Sequence, residues 1–261
     1  MKMFLCVLCA SVVLFAQRSP LPDEKGIVAE AEKKLAADPT NVELVLALGK
    51  AQADVWRFED AIATYSKGLE ANPDEARLWL NRGHRKITLR RFDEALRDLN
   101  NAKLFDDKMV DVWYHIGLVF YFRGEFAKAL PVWEHVREMS KTDDSIASAS
   151  DWLYMTLRRL NKPDEAAKVL EKISKGMKIT GSPFYHQRLL FYKGEKKEAE
   201  IFDPAKAGDL ELATVGYGLG NWYLYNGNPA KAKEIFQKIV QGKYWPAFGF
   251  IAAEVELARM K

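Results

Sequence analysis

The chain has 261 residues, of which 48% are apolar and 29% are charged, so it can bury a core and present a soluble surface. Lysine and arginine total 39 against 36 aspartate and glutamate residues, and both signs are scattered along the chain. No basic stripe of the kind that a phosphate backbone requires is visible, so nucleic acid is not expected as a partner.

The first sixteen residues have the pattern of a secretory signal. They read MKMFLCVLCASVVLFA, in which Lys2 precedes an uncharged run that ends at Ala16, before polar residues. The run is shorter than the roughly 20 residues that cross a bilayer as a helix. We therefore predict a signal peptide over residues 1–16, export to the periplasm or the exterior, and no membrane span after cleavage. A retained anchor and a lipid-modified Cys9 are the alternatives, and Leu8 does not match the small residue that lipoprotein signals carry before their cysteine.

Both cysteines, Cys6 and Cys9, lie in this segment. The mature chain would then contain neither a disulfide nor a thiol nucleophile. Its stability would come from packing alone.

A leading helix is predicted next, over residues 23–37, within an N-terminal extension and capping region at 17–41. Its ending, KLAADPTN, matches GLEANPDE, which occurs about one helix pair later. The similarity indicates half of a repeating unit.

A six-residue phrase then recurs at a fixed interval. It reads RFEDAI at 57–62, RFDEAL at 91–96 and EFAKAL at 125–130, so the interval is 34 residues. A glycine, an alanine and a bulky residue four positions after the alanine recur with it. The three sets are Gly49, Gly83 and Gly117; Ala61, Ala95 and Ala129; and Tyr65, Leu99 and Trp133. The small residues let two helices cross closely, and the bulky residue fills the space beside the crossing.

These positions resemble the tetratricopeptide repeat (TPR), a helix-turn-helix of 34 residues with small and bulky residues at set places. The resemblance implies an all-α fold: a right-handed TPR superhelix, or α-solenoid, of about six helix pairs with capping helices at both ends. Residues 42–143 would hold three regular repeats. Another α-solenoid family of similar period is the alternative, and the glycine and alanine positions argue against it.

The pattern weakens over residues 144–204, which we interpret as two degenerate repeats. In the fourth copy Tyr154 replaces the glycine, so that crossing is expected to be wider or shifted. In the fifth copy Gly194 marks the turn, Ala199 takes the small-residue position, and Asp203 with Pro204 cuts the second helix short.

A C-terminal repeat and a capping helix are predicted over residues 205–261. Gly220, Ala232 and Phe236 restore the full pattern, and an amphipathic segment follows at 247–260. This stretch is similar to the closing part of bacterial envelope TPR proteins of the NlpI type. That similarity implies an adaptor that docks other envelope proteins.

The sequence offers no constellation for catalysis, a metal or a cofactor. No two of the four histidines, His84, His115, His135 and His186, lie four residues apart, and no phosphate loop, dinucleotide fingerprint or nucleophile elbow occurs. Paired carboxylates fall at predicted turns and helix starts, where solvation explains them. We expect a protein that is not an enzyme and holds no cofactor.

The TPR resemblance implies that the first helix of each pair lines a concave face. The positions that would point into this face, and that we predict to bind a protein or peptide partner, are Arg77, His84, Tyr114, Leu118, Tyr121, Phe184, Arg188, Tyr217, Asn221 and Tyr225. Tyrosine and arginine are common in interface hot spots. The alternative is that some of these aromatics are buried by neighbouring helices.

One TPR binding mode, the carboxylate clamp for acidic chain ends, needs lysine and asparagine at set groove positions. Leu46 and Lys50 stand there in the first repeat, so the clamp is absent or altered. The leading hypothesis is a non-catalytic scaffold in the cell envelope. The alternatives are a homo-oligomeric module that self-associates through Phe248, Phe250 and Ile251 of the last helix and, less favoured, an enzyme.

Overall fold

The computed structural model describes residues 19–203 and 205–260. The predicted signal peptide and both cysteines lie outside the described residues. Within them the chain forms fourteen helices and no strand. The helices are α1 (Ile27–Ala37), α2 (Val42–Asp54), α3 (Phe58–Ala71), α4 (Ala76–Thr88), α5 (Phe92–Phe105), α6 (Val110–Phe122), α7 (Phe126–Met139), α8 (Asp143–Arg159), α9 (Pro163–Glu171), α10 (Phe184–Tyr192), α11 (Glu198–Ile201), α12 (Asp209–Tyr225), α13 (Pro229–Val240) and α14 (Phe248–Arg259).

The turn inside each helix pair has the same backbone geometry. One residue in the left-handed region ends the first helix, and these residues are Trp56, Arg90, Gly124, Asn161, Gly194 and Gly227. The next amide donates to the carbonyl five residues earlier, as from Arg57 to Gln52 at 2.8 Å and from Asn228 to Tyr223 at 2.8 Å. This is the Schellman arrangement, which satisfies carbonyls at the helix end. Its six occurrences identify six helix pairs, including the two degenerate ones.

The small residues lie where the helices of a pair cross. In four pairs a glycine of the first helix faces a bulky side chain of the second: Gly49 with Tyr65, Gly83 with Leu99, Gly117 with Trp133 and Gly220 with Phe236. A Cβ on Gly117 would stand 2.7 Å from the Trp133 ring. The predicted alanines at 61, 95, 129, 166 and 232 are completely buried. The explanation of the sequence period is therefore confirmed.

The fourth and fifth pairs depart from the pattern. Tyr154 is buried and its ring stacks on Tyr192 of the next pair, with centroids 4.6 Å apart. The second helix of the fifth pair, α11, has only four residues, as its early ending predicted. Ala199 is exposed on this short helix, so its predicted packing role is wrong.

The described residues fall into two compact units, divided after Phe105. The third regular repeat therefore belongs to the second unit. In the first unit α1 packs on α2, and two helix pairs follow, with α4 contacting both α2 and α3. Side chains such as Val28, Leu78 and Leu99 form its core.

The first helices of the pairs in the second unit form a closed ring with the last helix, α14. Helix α8 contacts α10 and α12, α12 contacts α14, and α14 returns to α6. Phe248, near the start of α14, lies 5.8 Å from His115 between ring centroids, and Arg259, near its end, donates to the carbonyl of Phe122. Residues near both ends of α14 therefore contact α6. Trp152 completes the ring, since its Nε1 donates to the Tyr114 hydroxyl at 2.9 Å.

Candidate partner-binding face

Ring closure buries half of the predicted partner-binding residues. Leu118, Tyr121, Arg188, Tyr217 and Asn221 are each at most 1% exposed. The prediction that these five line an open groove is wrong. These residues do lie on the first helix of their pair, as predicted. In the second unit, however, the side of the helix that carries them faces other helices of the same unit.

Polar groups inside the ring satisfy one another. The Tyr217 hydroxyl donates to the Tyr121 hydroxyl at 3.0 Å, and the Asn221 amide donates to the same oxygen at 3.0 Å. Burial raises the pKa of Tyr121 to about 12 and that of Tyr217 well above its ordinary value. Because these groups are completely buried, they are not accessible to a partner.

An ion pair joins three helices in this core. The Arg188 guanidinium on α10 contacts both carboxylate oxygens of Asp151 on α8, and its Nη1 donates to the carbonyl of Thr214 on α12 at 2.6 Å. Burial raises the pKa of Asp151 to about 6, and Arg188 opposes this rise. Burial also works against the charge of Arg188, yet Asp151 and nearby tyrosines leave its pKa raised. Arg188 therefore holds the unit together and is not a contact for a partner.

A second buried carboxylate fixes the last helix. Glu256 on α14 is 1% exposed and accepts from Arg159 of α8 at 2.7 Å and from Arg259 at 2.6 Å. Because Arg259 also binds the Phe122 carbonyl, this network ties α14 to α8 and α6 together. Phe250 and Ile251 are buried by the same packing, and the Phe248 ring lies against Phe122, with centroids 6.3 Å apart. The prediction that Phe250 and Ile251 are exposed for self-association is wrong, whereas Phe248 is half-buried.

Three further predicted residues are half-buried in the second unit. The Tyr114 hydroxyl lies 3.4 Å from that of Tyr185, and Phe184 packs against the cluster around Val215. The Arg158 guanidinium covers the Tyr225 ring, 4.4 Å from its centroid. Burial raises the pKa of Tyr225 well above its ordinary value. Each of the three predicted side chains therefore exposes only part of its surface.

The remaining two predicted residues, Arg77 and His84, lie on α4 in the first unit and are half-buried. Arg77 is held between Glu75 at 2.9 Å and Glu43 of α2 at 2.7 Å, while Glu43 itself keeps 72% of its side chain exposed. Lys50 on α2 is also exposed, at 73%. Glu43 and Arg77 are 34 residues apart, as are Lys50 and His84, so each pair holds equivalent positions in successive repeats.

We call this surface the first-unit face. It consists of Glu43, Leu46, Lys50, Arg77, Asn81 and His84, all of which are exposed or half-buried. Sequence reasoning missed Glu43, although its distance of one period from Arg77 was the signal that could have found it.

The described part of the chain holds neither a metal cluster nor a membrane span. No group of three or more histidine, cysteine, aspartate or glutamate residues within 19–203 and 205–260 could hold a metal ion. None of the helices in the same ranges is long and apolar enough to cross a bilayer.

Comparison with known families agrees with the helix pairs and their turns. Models described as tetratricopeptide repeat match residues 46–102 and residues 215–241. The chain contains tetratricopeptide repeats. The two matched segments contain the Gly83 and Gly220 crossings, where a TPR places its small residue.

Two curated relatives are similar to this chain over about two thirds of its length. The DnaJ homolog subfamily C member 7 homolog of Schizosaccharomyces pombe is 30% identical over 178 residues, which are 66% of this chain and 35% of the relative. Hsp70-Hsp90 organizing protein 3 of Arabidopsis thaliana is 23% identical over 190 residues, 69% of this chain and 34% of the relative. The chain thus spans about a third of the length of either relative.

Solved structures show the same TPR fold. A tetratricopeptide repeat protein from Parabacteroides merdae has a TM-score of 0.53 and 14% identity, covering 90% of this chain and 91% of its own. MamA has a TM-score of 0.51 and 22% identity, covering 65% and 90%. YrrB, described as a TPR protein with an unusual peptide-binding site, has a TM-score of 0.50 and 18% identity, covering 87% and 97%.

Proposed function

We propose that this protein is an exported, non-catalytic TPR scaffold that binds a partner protein or peptide on its first-unit face. The observation that carries the proposal is the contrast between the two units. In the second unit the first helices of the pairs bury Tyr121, Arg188 and Tyr217 against one another, whereas Glu43 and Lys50 on α2 are exposed and Arg77 and His84 on α4 are half-buried.

The chemistry of the first-unit face favours an extended polypeptide of mixed charge. Glu43 offers carboxylate oxygens beside the Arg77 guanidinium, Lys50 offers an ammonium group, and Leu46 offers hydrocarbon between them. The face lacks the lysine and asparagine positions of the clamp for acidic chain ends, because Leu46 and Lys50 stand there. The side chains of Arg77 and His84 supply the larger contact areas that interface anchors need.

The comparisons support a binding role in general terms. The name of the Arabidopsis relative describes a protein that organizes Hsp70 and Hsp90, and YrrB is a TPR protein with a peptide-binding site. We extend a partner-binding role, and neither of those particular partners, to this chain.

The proposal is tested by capture of partners from an envelope extract with the purified mature chain. A Lys50→Ala, His84→Ala variant removes two anchors of the first-unit face. A Lys67→Ala, Glu70→Ala variant, altered at exposed positions on α3, is the matched control. We expect the first variant to lose proteins that the unaltered chain and the control retain, with all three equally helical by circular dichroism. Identical sets of captured proteins from both variants would contradict the proposed face.

A further inference from the structure

A second surface with a ligand-binding character lies in the second unit, outside the helix ring. A cavity of about 390 Å³ opens between α7, α8 and α9. Its lining includes Arg137, Glu138 and Ser140 at the end of α7, Leu153 on α8, and Lys168 and Lys172 at α9. We call it the outer cavity. It shares no residue with the first-unit face.

The charges of the outer cavity are unbalanced. Arg137, Lys168 and Lys172 face a single carboxylate, that of Glu138. In the part of the chain that the structure describes, none of the three cations forms an ion pair. The lining of the cavity therefore carries a net positive charge.

Arg137 is the fixed element of this site. Its Nε donates to the Ser150 hydroxyl at 2.8 Å. Because Ser150 is completely buried, this hydrogen bond fixes the guanidinium on the side that faces the protein interior. Within residues 19–203 and 205–260 its two terminal nitrogens donate to no acceptor. Burial lowers the pKa of Arg137 and no anion offsets this effect. A half-buried cation without a counter-charge is costly, and a bound anion would remove that cost.

Other features of the outer cavity limit the kind of anion. The Ser140 hydroxyl already donates its hydrogen to the Val136 carbonyl at 2.8 Å, so it is not counted as a donor to the ligand. Leu153 and Val169 give the cavity hydrocarbon walls beside its cations. A ligand that buries apolar carbon next to its negative charge fits this lining better than a bare, strongly hydrated ion does.

We infer that the outer cavity binds an acidic peptide segment, in which a glutamate or aspartate carboxylate pairs with Arg137 and Lys168 and an adjacent aliphatic side chain contacts Leu153 and Val169. Paired carboxylate and guanidinium groups form charge-assisted hydrogen bonds, which are stronger than neutral ones. The site adds a second point of attachment to the scaffold, on a different unit from the first-unit face.

The test is calorimetric titration of the full chain with an acetylated peptide of alternating leucine and glutamate. A second peptide replaces every glutamate with glutamine, and inorganic phosphate is titrated separately. We expect only the acidic peptide to bind strongly. Arg137→Gln and Lys168→Gln should each weaken it about tenfold, the size of effect that one charge-assisted contact gives. Lys238→Gln, at an exposed lysine of α13, is the matched control and should change nothing.

Lys168 is exposed, so its replacement tests the site even if Arg137→Gln disturbs folding. Equal binding of the two peptides, or equal affinity for phosphate and the acidic peptide, would overturn the inference. So would undiminished binding by Lys168→Gln. The Lys50→Ala, His84→Ala variant should bind this peptide normally, so a failure here is separate from a failure of the first-unit face.

Discussion

A single residue in the left-handed backbone region ends the first helix of every pair. At three of the six positions this residue is glycine, and at the others the chain accepts Trp56, Arg90 or Asn161. A side chain costs roughly 1–2 kcal/mol in this region, and asparagine tolerates it better than most residues. The turn geometry is therefore maintained even where the residue is unfavourable, because the flanking helices determine it.

Alanine at two of these glycines should separate backbone strain from tertiary contact. At Gly194 an added Cβ meets nothing within 4 Å, so we expect Gly194→Ala to lower the free energy of unfolding by about 1 kcal/mol. At Gly124 the Cβ would stand 3.1 Å from the Arg259 guanidinium, which binds the Phe122 carbonyl. Gly124→Ala should therefore cost more, as measured by urea unfolding. Equal losses would show that the Arg259 contact contributes nothing.

The buried Asp151 gives the second unit a defined pH dependence. Its pKa is raised to about 6 by burial, against about 4 in an unfolded chain. Its contribution to stability is then fully present below about pH 4 and is lost as the pH rises through 6. Relative to Asp151→Asn, the unaltered protein should lose unfolding free energy over this range, measured by urea unfolding at several pH values. A relative gain instead would mean that the attraction of Arg188 outweighs burial.

At the scale of elements, the close approach of α14 to α12 requires a glycine. A Cβ on Gly249 would collide with the backbone carbonyl of Ala213, which cannot move aside as a flexible side chain can. Gly49 and Gly220 contact aromatic side chains, those of Tyr65 and Phe236. Gly249 differs because it contacts the backbone of another helix. The closure of the ring by α14 depends on this contact.

Gly249→Ala should therefore push α14 off α12. We expect a loss of about 2–3 kcal/mol in the free energy of unfolding, typical of overpacking at a tight contact. The aromatic side chains inside the ring of helices should then become exposed, which should increase the binding of a hydrophobic dye. Gly176→Ala is the control, since the nearest atom to its added Cβ is 3.8 Å away. A stable variant with α14 still protected from hydrogen exchange would contradict this role of Gly249.

Most elements were predictable because their signals are local. The crossing glycine and its bulky partner, such as Gly117 and Trp133, lie sixteen residues apart in one helix pair. Turn residues and alanines lie within the same span. The short α11 was also predictable from Asp203 and Pro204, whereas the exposure of Ala199 was not, because it depends on what packs beside a helix that ends early.

At the scale of the whole molecule, the chain forms two compact units that contain their own cores. The core of the first unit, including Val28, Leu48 and Val55, comes entirely from residues before 106. A fragment with its own core can fold independently. Nothing in the 34-residue period marked this division, since the repeat pattern continues through it.

We accordingly expect a fragment of residues 19–105 to fold alone. It should be helical by far-ultraviolet circular dichroism and should unfold cooperatively on heating. The first-unit face, including Arg77 and His84, should keep its partner binding in this fragment. A gradual, non-cooperative loss of helix would show that the first unit depends on the remainder of the chain.

The sequence by itself determined the helix pairs, the turns and the family, because these depend on contacts between residues close together along the chain. Only the tertiary structure decided which predicted groove residues are accessible. Tyr121 and Tyr217 meet across 96 residues, and Arg259 reaches Phe122 across 137. The sequence period predicts that each helix pair stacks on the previous one. It does not give the small rotation between successive pairs, which adds up over several repeats. In the second unit the accumulated rotation brings α14 back to α6, and this closure buries residues that were expected to face a partner.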